Sequence, residues 1–476
     1  MQKTSIYSAV LLLTSAAILN TSGRAQSAPD AVPKAAATLQ ECGVDVHPQD
    51  LPNGDYGGFY TWPELVGEID GWLRKYPHLV RAQRLGTSVE GRAIPLLKIS
   101  SNPEKDEDKP EVLYLVGIHP REQAPTVAIV RFVSELLAGY NTNPEITQLV
   151  NSREIWVVPM LNVDGKIYDF QHGNTTTRGA DWRKNRRVNP DGTIGVDLNR
   201  NFPIRWGGNR AYDESWKAST ADTKGNIYEG SAPASEPETR AIMEFITARP
   251  LRAMVDLHSP LHDLRAPGFL SASEHSIYLD LLQKMQKSQK DPYPLKIGKP
   301  GVEPKSETRG GDSGTSYPWS YYTTGAYSFN IEMGFKGRNG EYSTGVGARY
   351  ASAASVETEY ADNIRGPLLT LLRESGDLQP ATQGSAKLLQ SGWEGAPKAG
   401  ARVMWKPQIT RDFDYAVAMS ESAAGVIPLE FRLAPAGAGF SIQIQPNAKS
   451  GTPIPLSLYV WKGRERSIFK TELVVQ

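Results

Sequence analysis

The stretch "EVLYLVGIHPREQAPTVAIVRFVSELLAGY", Glu111–Tyr140, decides the fold. It opens on an almost unbroken apolar run, the pattern of a strand buried on both faces. From Pro125 onward, Val130, Val133 and Leu137 recur at helical spacing, so a helix follows the strand. His119 and Glu122 sit in the loop between them. The same punctuation recurs at "EIWVVPMLNVDG" (154–165), "LRAMVDLHS" (251–259) and "AYSFNIEMG" (326–334), each an apolar run with polar residues at its far end. Helical candidates lie between, at "SEPETRAIMEFITAR" (235–249) and "SIYLDLLQKMQKSQ" (276–289). Strands alternating with helices predict an α/β fold with a mostly parallel mixed sheet flanked by helices. In such sheets ligands bind beyond the carboxyl ends of the strands.

Upstream, "TWPELVGEIDGWLRKYP" (61–77) has capping-box spacing from Thr61 to Glu64 and Pro63 in the first turn, with Leu65, Ile69, Trp72 and Leu73 on one face. It predicts an amphipathic helix ended by Pro77. "LVRAQRLG" and "AIPLLKIS" around "TSVEGR" predict a β-hairpin. Residues 1–25 combine Lys3, an apolar core from Val10 to Leu19 and small residues at Gly23 to Ala25. This is the pattern of a secretory signal peptide, too short to anchor in a bilayer. A secreted or periplasmic protein is expected, and no later apolar run is long enough for a membrane span in the mature chain. Residues 26–55 read as a flexible lead-in and 56–375 as the main domain. Residues 376–392 read as a linker and 393–476, with period-two runs such as "GFSIQIQP" and "IPLSLYVWKG", as a β-rich, sandwich-like domain.

With 39% hydrophobic and 22% charged residues in 476, the composition is that of a globular protein. Lys+Arg and Asp+Glu balance at 52 each, so no net field draws the chain to nucleic acid. The single Cys42 excludes an internal disulfide and is expected to be an inert thiol.

With 7 His in the chain, a chance His-x-x-Glu arises about a third of the time, so His119 and Glu122 need partners. Catalytic zinc usually takes three ligands mixing His and carboxylate, leaving one position open. A third ligand from another strand end is needed, and His258 in "MVDLHS" fits. His262 is a poorer choice, because Pro260 breaks any helical pairing with His258. One Zn2+ per chain is the expected cofactor.

In order and approximate spacing, "GIHPRE", "NVDG", "DWRKNR", "GVDLNRNFP", "MVDLHS" and "YSFNIEMG" resemble the zinc carboxypeptidases of the carboxypeptidase A type, the M14 peptidase family, over roughly residues 56–375. The resemblance implies that His119, Glu122 and His258 bind zinc and that Glu332 is the general base taking a proton from the attacking water. It implies that Arg183 steadies the developing oxyanion, that Asn199 and Arg200 grip the substrate's terminal carboxylate, and that Arg121 lies near the substrate path. Asp197 matches the carboxylate that orients the first zinc His. The implied substrates are peptide or protein C-termini. Lys184, Arg186 and Arg187 are expected to form a solvated basic loop.

Two departures from the family bear on the substrate. Its lid Tyr lies about 22 residues before the base, where this chain has Gly310, or Glu307 in a shifted registration. Specificity is read two residues before the Trp of "PWSY", here Tyr317, which implies a neutral or apolar terminal residue rather than Lys or Arg. Residues 26–55 are too few for an inhibitory prosegment, so activity without proteolytic cleavage is expected. The alternatives are a murein-peptide (diaminopimelate-bond) hydrolase of the same superfamily, an N-acyl amino acid deacylase of related fold, and a non-catalytic binding protein on this fold.

Overall fold

The computed structural model describes residues 38–476 except 52–55, 57, 174–179, 208–219, 303–312, 337–341, 344–351, 411–412, 421, 423–424, 427–430 and 434–438. The leader-like segment, and Glu307 and Gly310 in the expected lid region, lie outside the described residues. Helix α1, Trp62–Lys75, begins where the spacing predicts. Glu64 Oε2 accepts from Thr61 N at 2.8 Å, satisfying a donor at the helix start. Leu65, Ile69, Trp72 and Leu73 form its buried face. The predicted hairpin is β1, Val80–Thr87, paired antiparallel with β2, Ala93–Ile99.

The apolar runs become β3 (Glu111–Val116), β4 (Glu154–Val158) and β5 (Leu251–His258). Two short strands follow, β6 (Asp263–Arg265) and β7 (Leu295–Lys296), and then β8 (Tyr327–Glu332). The sheet order is β1-β2-β4-β3-β5-β8-β6-β7. The four central strands, β4, β3, β5 and β8, are mutually parallel, with antiparallel pairings β2/β4 and β6/β8 at their flanks. Every residue of β3, β4 and β8 is buried, which is why these strands lack polar alternation. Helix α2, Gln123–Gly139, is buried all round from Gln123 to Val130, as a helix pressed between the sheet and outer elements must be. Among the described residues no helix is long and apolar enough to cross a membrane.

The β3-to-α2 turn depends on Gly117, whose φ is +77°. A Cβ there would lie 2.9 Å from Met160 Cα. Gly117→Ala therefore combines left-handed strain with a backbone clash, and we expect it to cost about 2–4 kcal/mol. Thermal unfolding should show a clearly lowered midpoint, whereas an unchanged one would mean the loop relaxes freely.

A two-stranded ribbon, Phe335–Lys336 with Tyr342–Ser343, follows β8, and C-terminal to it lie two larger sheets. One orders Thr382–Gln383, Glu465–Val474, Pro453–Lys462, Tyr415–Ser420 and Phe431–Leu433; the other orders Leu388–Glu394, Arg402–Ile409, Phe440–Ile444 and Gly425–Val426. Val403, Trp405 and Ile442 of the second sheet share a core with Ile454, Leu456 and Leu458 of the first. The expected linker 376–392 needs correction, because Thr382–Gln383 and most of Leu388–Glu394 fall within it and pair as strands. Leu388–Glu394 is a largely exposed edge strand, so its polar composition imitates a linker's. The other face of the first sheet meets helix Ser316–Thr324: Trp461 Nε1 donates to Tyr322 O at 3.2 Å, and the Tyr321 and Trp461 rings lie parallel.

Candidate metal centre and active site

Three parallel strands deliver the chemistry to one edge of the sheet. β3 ends at Val116 and its following turn carries His119 and Glu122, the latter immediately before α2. His258 is the last residue of β5 and Glu332 the last of β8, and the two are cross-strand partners. Ligand atoms of His119, Glu122 and His258 all lie within 4.8 Å of one another, and all three residues are buried.

The two imidazoles are oriented alike. His119 Nδ1 is 2.8 Å from Glu122 Oε1 and His258 Nδ1 is 2.9 Å from Glu122 Oε2, while the two Nδ1 atoms are 3.2 Å apart. On the far side, His119 Nε2 faces Asp197 Oδ1 at 3.2 Å and His258 Nε2 faces Asp256 Oδ1 at 3.0 Å. A carboxylate behind each ring favours a proton on Nε2 and leaves the Nδ1 lone pair pointing inward. Two such lone pairs and a buried carboxylate converging on one point form a donor set that fits zinc. Burial opposes charge on Glu122, but His119 and His258 hold its carboxyl well below the usual range.

Asp197, fully buried, also accepts from Arg183 Nε at 2.8 Å and from Asn199 N at 3.0 Å. Burial opposes its charge, yet Arg183 and His119 hold its carboxyl far below the usual range. Arg183 Nη1 lies 3.7 Å from Glu122 Oε1. For Glu332, burial pushes the carboxyl above the usual range against the pull of Arg265 and His258.

A cavity of about 170 Å³ is lined by every one of the sequence-derived site residues except Asp197, which lies behind His119. Its wall holds Arg121, Arg183, Asn199, Arg200 and Tyr317 together with Glu332 and the three candidate ligands. Asn199 Oδ1 accepts from Ser316 N at 3.1 Å, and Asn199 Nδ2 lies 3.2 Å from His258 Nε2. Arg200 Nη1 donates to Asn199 O at 2.5 Å, while its buried Nε has no hydrogen-bond partner among the described residues. His262 is not part of the metal cluster; its ring packs edge-on against Tyr293.

The expectation of a solvated basic loop at Lys184, Arg186 and Arg187 fails. Lys184 is buried with Nζ donating to Thr223 O at 2.8 Å, Arg186 lies 3.5 Å over the Tyr168 ring, and Arg187 pairs with Glu236 at 3.0 Å. Cys42 is half-buried, with Sγ donating to Ala82 O at 3.2 Å and burial pushing its thiol up, as an inert role requires. The sequence reading missed Asp256, Arg265, Thr315 and Asn330. Asp256 was accessible to it, because two residues before His258 on a strand means the same face. Arg265 gave no such signal, since only the pairing of β6 with β8 brings it to the cavity.

A family model described as zinc carboxypeptidase matches residues 66–346. The chain is 42% identical over 159 residues to a zinc carboxypeptidase of Saccharothrix mutabilis subsp. capreolus, a match covering 33% of this chain and 35% of that protein. It is 30% identical over 302 residues to mast cell carboxypeptidase A of Mus musculus, covering 62% of this chain and 68% of that one. The crystal structure of carboxypeptidase A from Helicoverpa armigera superposes with a TM-score of 0.53 at 22% identity, covering 68% of this chain and 75% of that chain. That superposition speaks to the fold alone.

Proposed function

The chain belongs to the zinc carboxypeptidase family, and on that premise we propose that it removes single residues from the C-termini of peptides or proteins. One observation carries the reading. The cavity that holds the His119–Glu122–His258 cluster also holds Arg200, a half-buried residue whose buried Nε lacks a hydrogen-bond partner among the described residues. A buried orphan donor beside a hydrolytic centre calls for an anionic guest, and a peptide's terminal carboxylate is the one every C-terminus supplies.

His119, Glu122 and His258 would hold one zinc ion, which when bound supplies a Lewis acid beside the scissile carbonyl. Glu332 takes a proton from water as its oxygen bonds to the carbonyl carbon, then delivers that proton to the departing amine as the C–N bond breaks. Its raised carboxyl suits both halves of that transfer. Arg183, held by Asp197, offers N–H groups to the oxygen that gains charge. Arg200, with Asn199 at its side, orients the free carboxylate, which makes the reaction exopeptidic. Asp197 and Asp256 fix the rings of His119 and His258. Arg265 in the wall opposes a Lys or Arg side chain in the terminal position. The leader-like pattern of residues 1–25 supports a place outside the cytoplasm, in the periplasm or the medium.

Incubation of a peptide mixture with the zinc-loaded protein, read by mass spectrometry, tests the activity. Loss of one C-terminal residue from free-acid peptides and resistance of the same peptides as C-terminal amides are expected. Internal cleavage, or equal cleavage of the amides, would rule the reading out.

A further inference from the structure

The sheet builds the terminal pocket in two rungs on one face. The outer rung is His258–Glu332–Asp263 across β5, β8 and β6; the inner rung, two residues along each strand, is Asp256–Asn330–Arg265. Even spacing keeps both rungs on the same side of the sheet, about 7 Å apart. The outer rung carries the chemistry, so the inner one lies deeper in the cavity, where Arg265 and Asn330 line it together with Thr315 and Tyr317.

This inner end is polar. Asn330 is 3% exposed and Thr315 is 5% exposed, and neither Asn330 Oδ1 nor Thr315 Oγ1 has a hydrogen-bond partner among the described residues. Arg265 donates from Nε to Asp263 Oδ1 at 2.6 Å and from Nη2 to Asp263 Oδ2 at 3.0 Å. That bidentate pair occupies one edge of the guanidinium and leaves the Nη1–Nη2 edge for a second carboxylate. An apolar side chain seated here would strip water from two orphan polar atoms and a guanidinium edge without replacing those bonds. A basic side chain would meet Arg265 directly.

Resting on the carboxypeptidase reading, we infer that Arg265 and Asn330 select substrates whose C-terminal residue is acidic, Glu or Asp, with Arg265 binding the side-chain carboxylate. This departs from the apolar preference expected from Tyr317. Tyr317 forms one wall of the pocket, while the charge at the inner end comes from a strand 52 residues earlier in the chain.

The test compares kcat/KM on N-acyl dipeptides ending in Glu, Asp, Gln, Leu, Phe and Lys, using the zinc-loaded full chain. Release of Glu or Asp at least about tenfold faster than Leu or Phe is expected, in the range a built polar contact confers over its absence. Arg265→Met should collapse the Glu-to-Leu ratio to about one or below. Asp263→Asn, which lifts the competing negative charge from Arg265, should raise the ratio and serves if Arg265→Met does not fold. Wild-type protein releasing Leu or Phe faster than Glu, or an Arg265→Met ratio equal to the wild type's, overturns the proposal while leaving a carboxypeptidase in place. Release of no residue from any of the six overturns the carboxypeptidase reading itself, and the acidic preference with it.

Discussion

Replacing Glu332 by Gln is expected to leave zinc binding intact and to lower kcat by at least about a thousandfold, within the range that a positioned general base contributes. The amide preserves the shape of the side chain at the end of β8 but can neither take nor return a proton. Glu332 lies in the cavity wall as the cross-strand partner of His258 and outside the three-residue metal cluster, so zinc content per chain, read by elemental analysis, should not change. In the wild type, kcat/KM should fall as pH drops through the raised Glu332 ionisation, because the base acts only as carboxylate. Burial pushes that ionisation upward from the ordinary carboxylate range against the pull of Arg265 and His258, so the acid limb moves up with it. A Gln variant retaining more than a tenth of the activity would move the base elsewhere.

His258→Ala should remove both metal and turnover. Losing one of three ligands costs more than losing a ligand's outer partner, which already weakens metal binding by about 10–100-fold. The substitution also leaves Glu122 and Asp256, both buried and both facing His258, without that counter-group. Zinc should therefore raise the wild-type melting temperature and leave the variant's unchanged, because a ligand stabilises only the state that binds it. Asp256→Asn provides the graded comparison: weakened zinc binding within that 10–100-fold range, with turnover recovered at high metal concentration. Full zinc content in His258→Ala would mean that His258 is not a ligand.

Much of the catalytic edge was legible because buried parallel strands announce themselves as unbroken apolar runs and end in polar residues where they leave the core. That logic places His119 and Glu122 after β3, His258 at the end of β5 and Glu332 at the end of β8. It likewise places α1, whose capping residues Thr61 and Glu64 bond within a single turn. The basic residues Lys184, Arg186 and Arg187 were misread for the opposite reason. Charge in sequence resembles solvated charge, and only folding shows Arg186 on an aromatic face and Lys184 buried against a carbonyl.

Local pattern was enough to foretell the strand-loop-helix of β3 and α2, and an ordered set of short motifs was enough to mark His119, Glu122 and His258 as candidate ligands and Glu332 as the candidate base. The tertiary structure decided what surrounds them. Arg265 reaches the cavity through the antiparallel pairing of β6 with β8, and Trp461 reaches helix Ser316–Thr324 from another sheet. Register between distant strands is fixed by packing summed over the whole core, and a shift of one residue would turn Arg265 to the other face of the sheet.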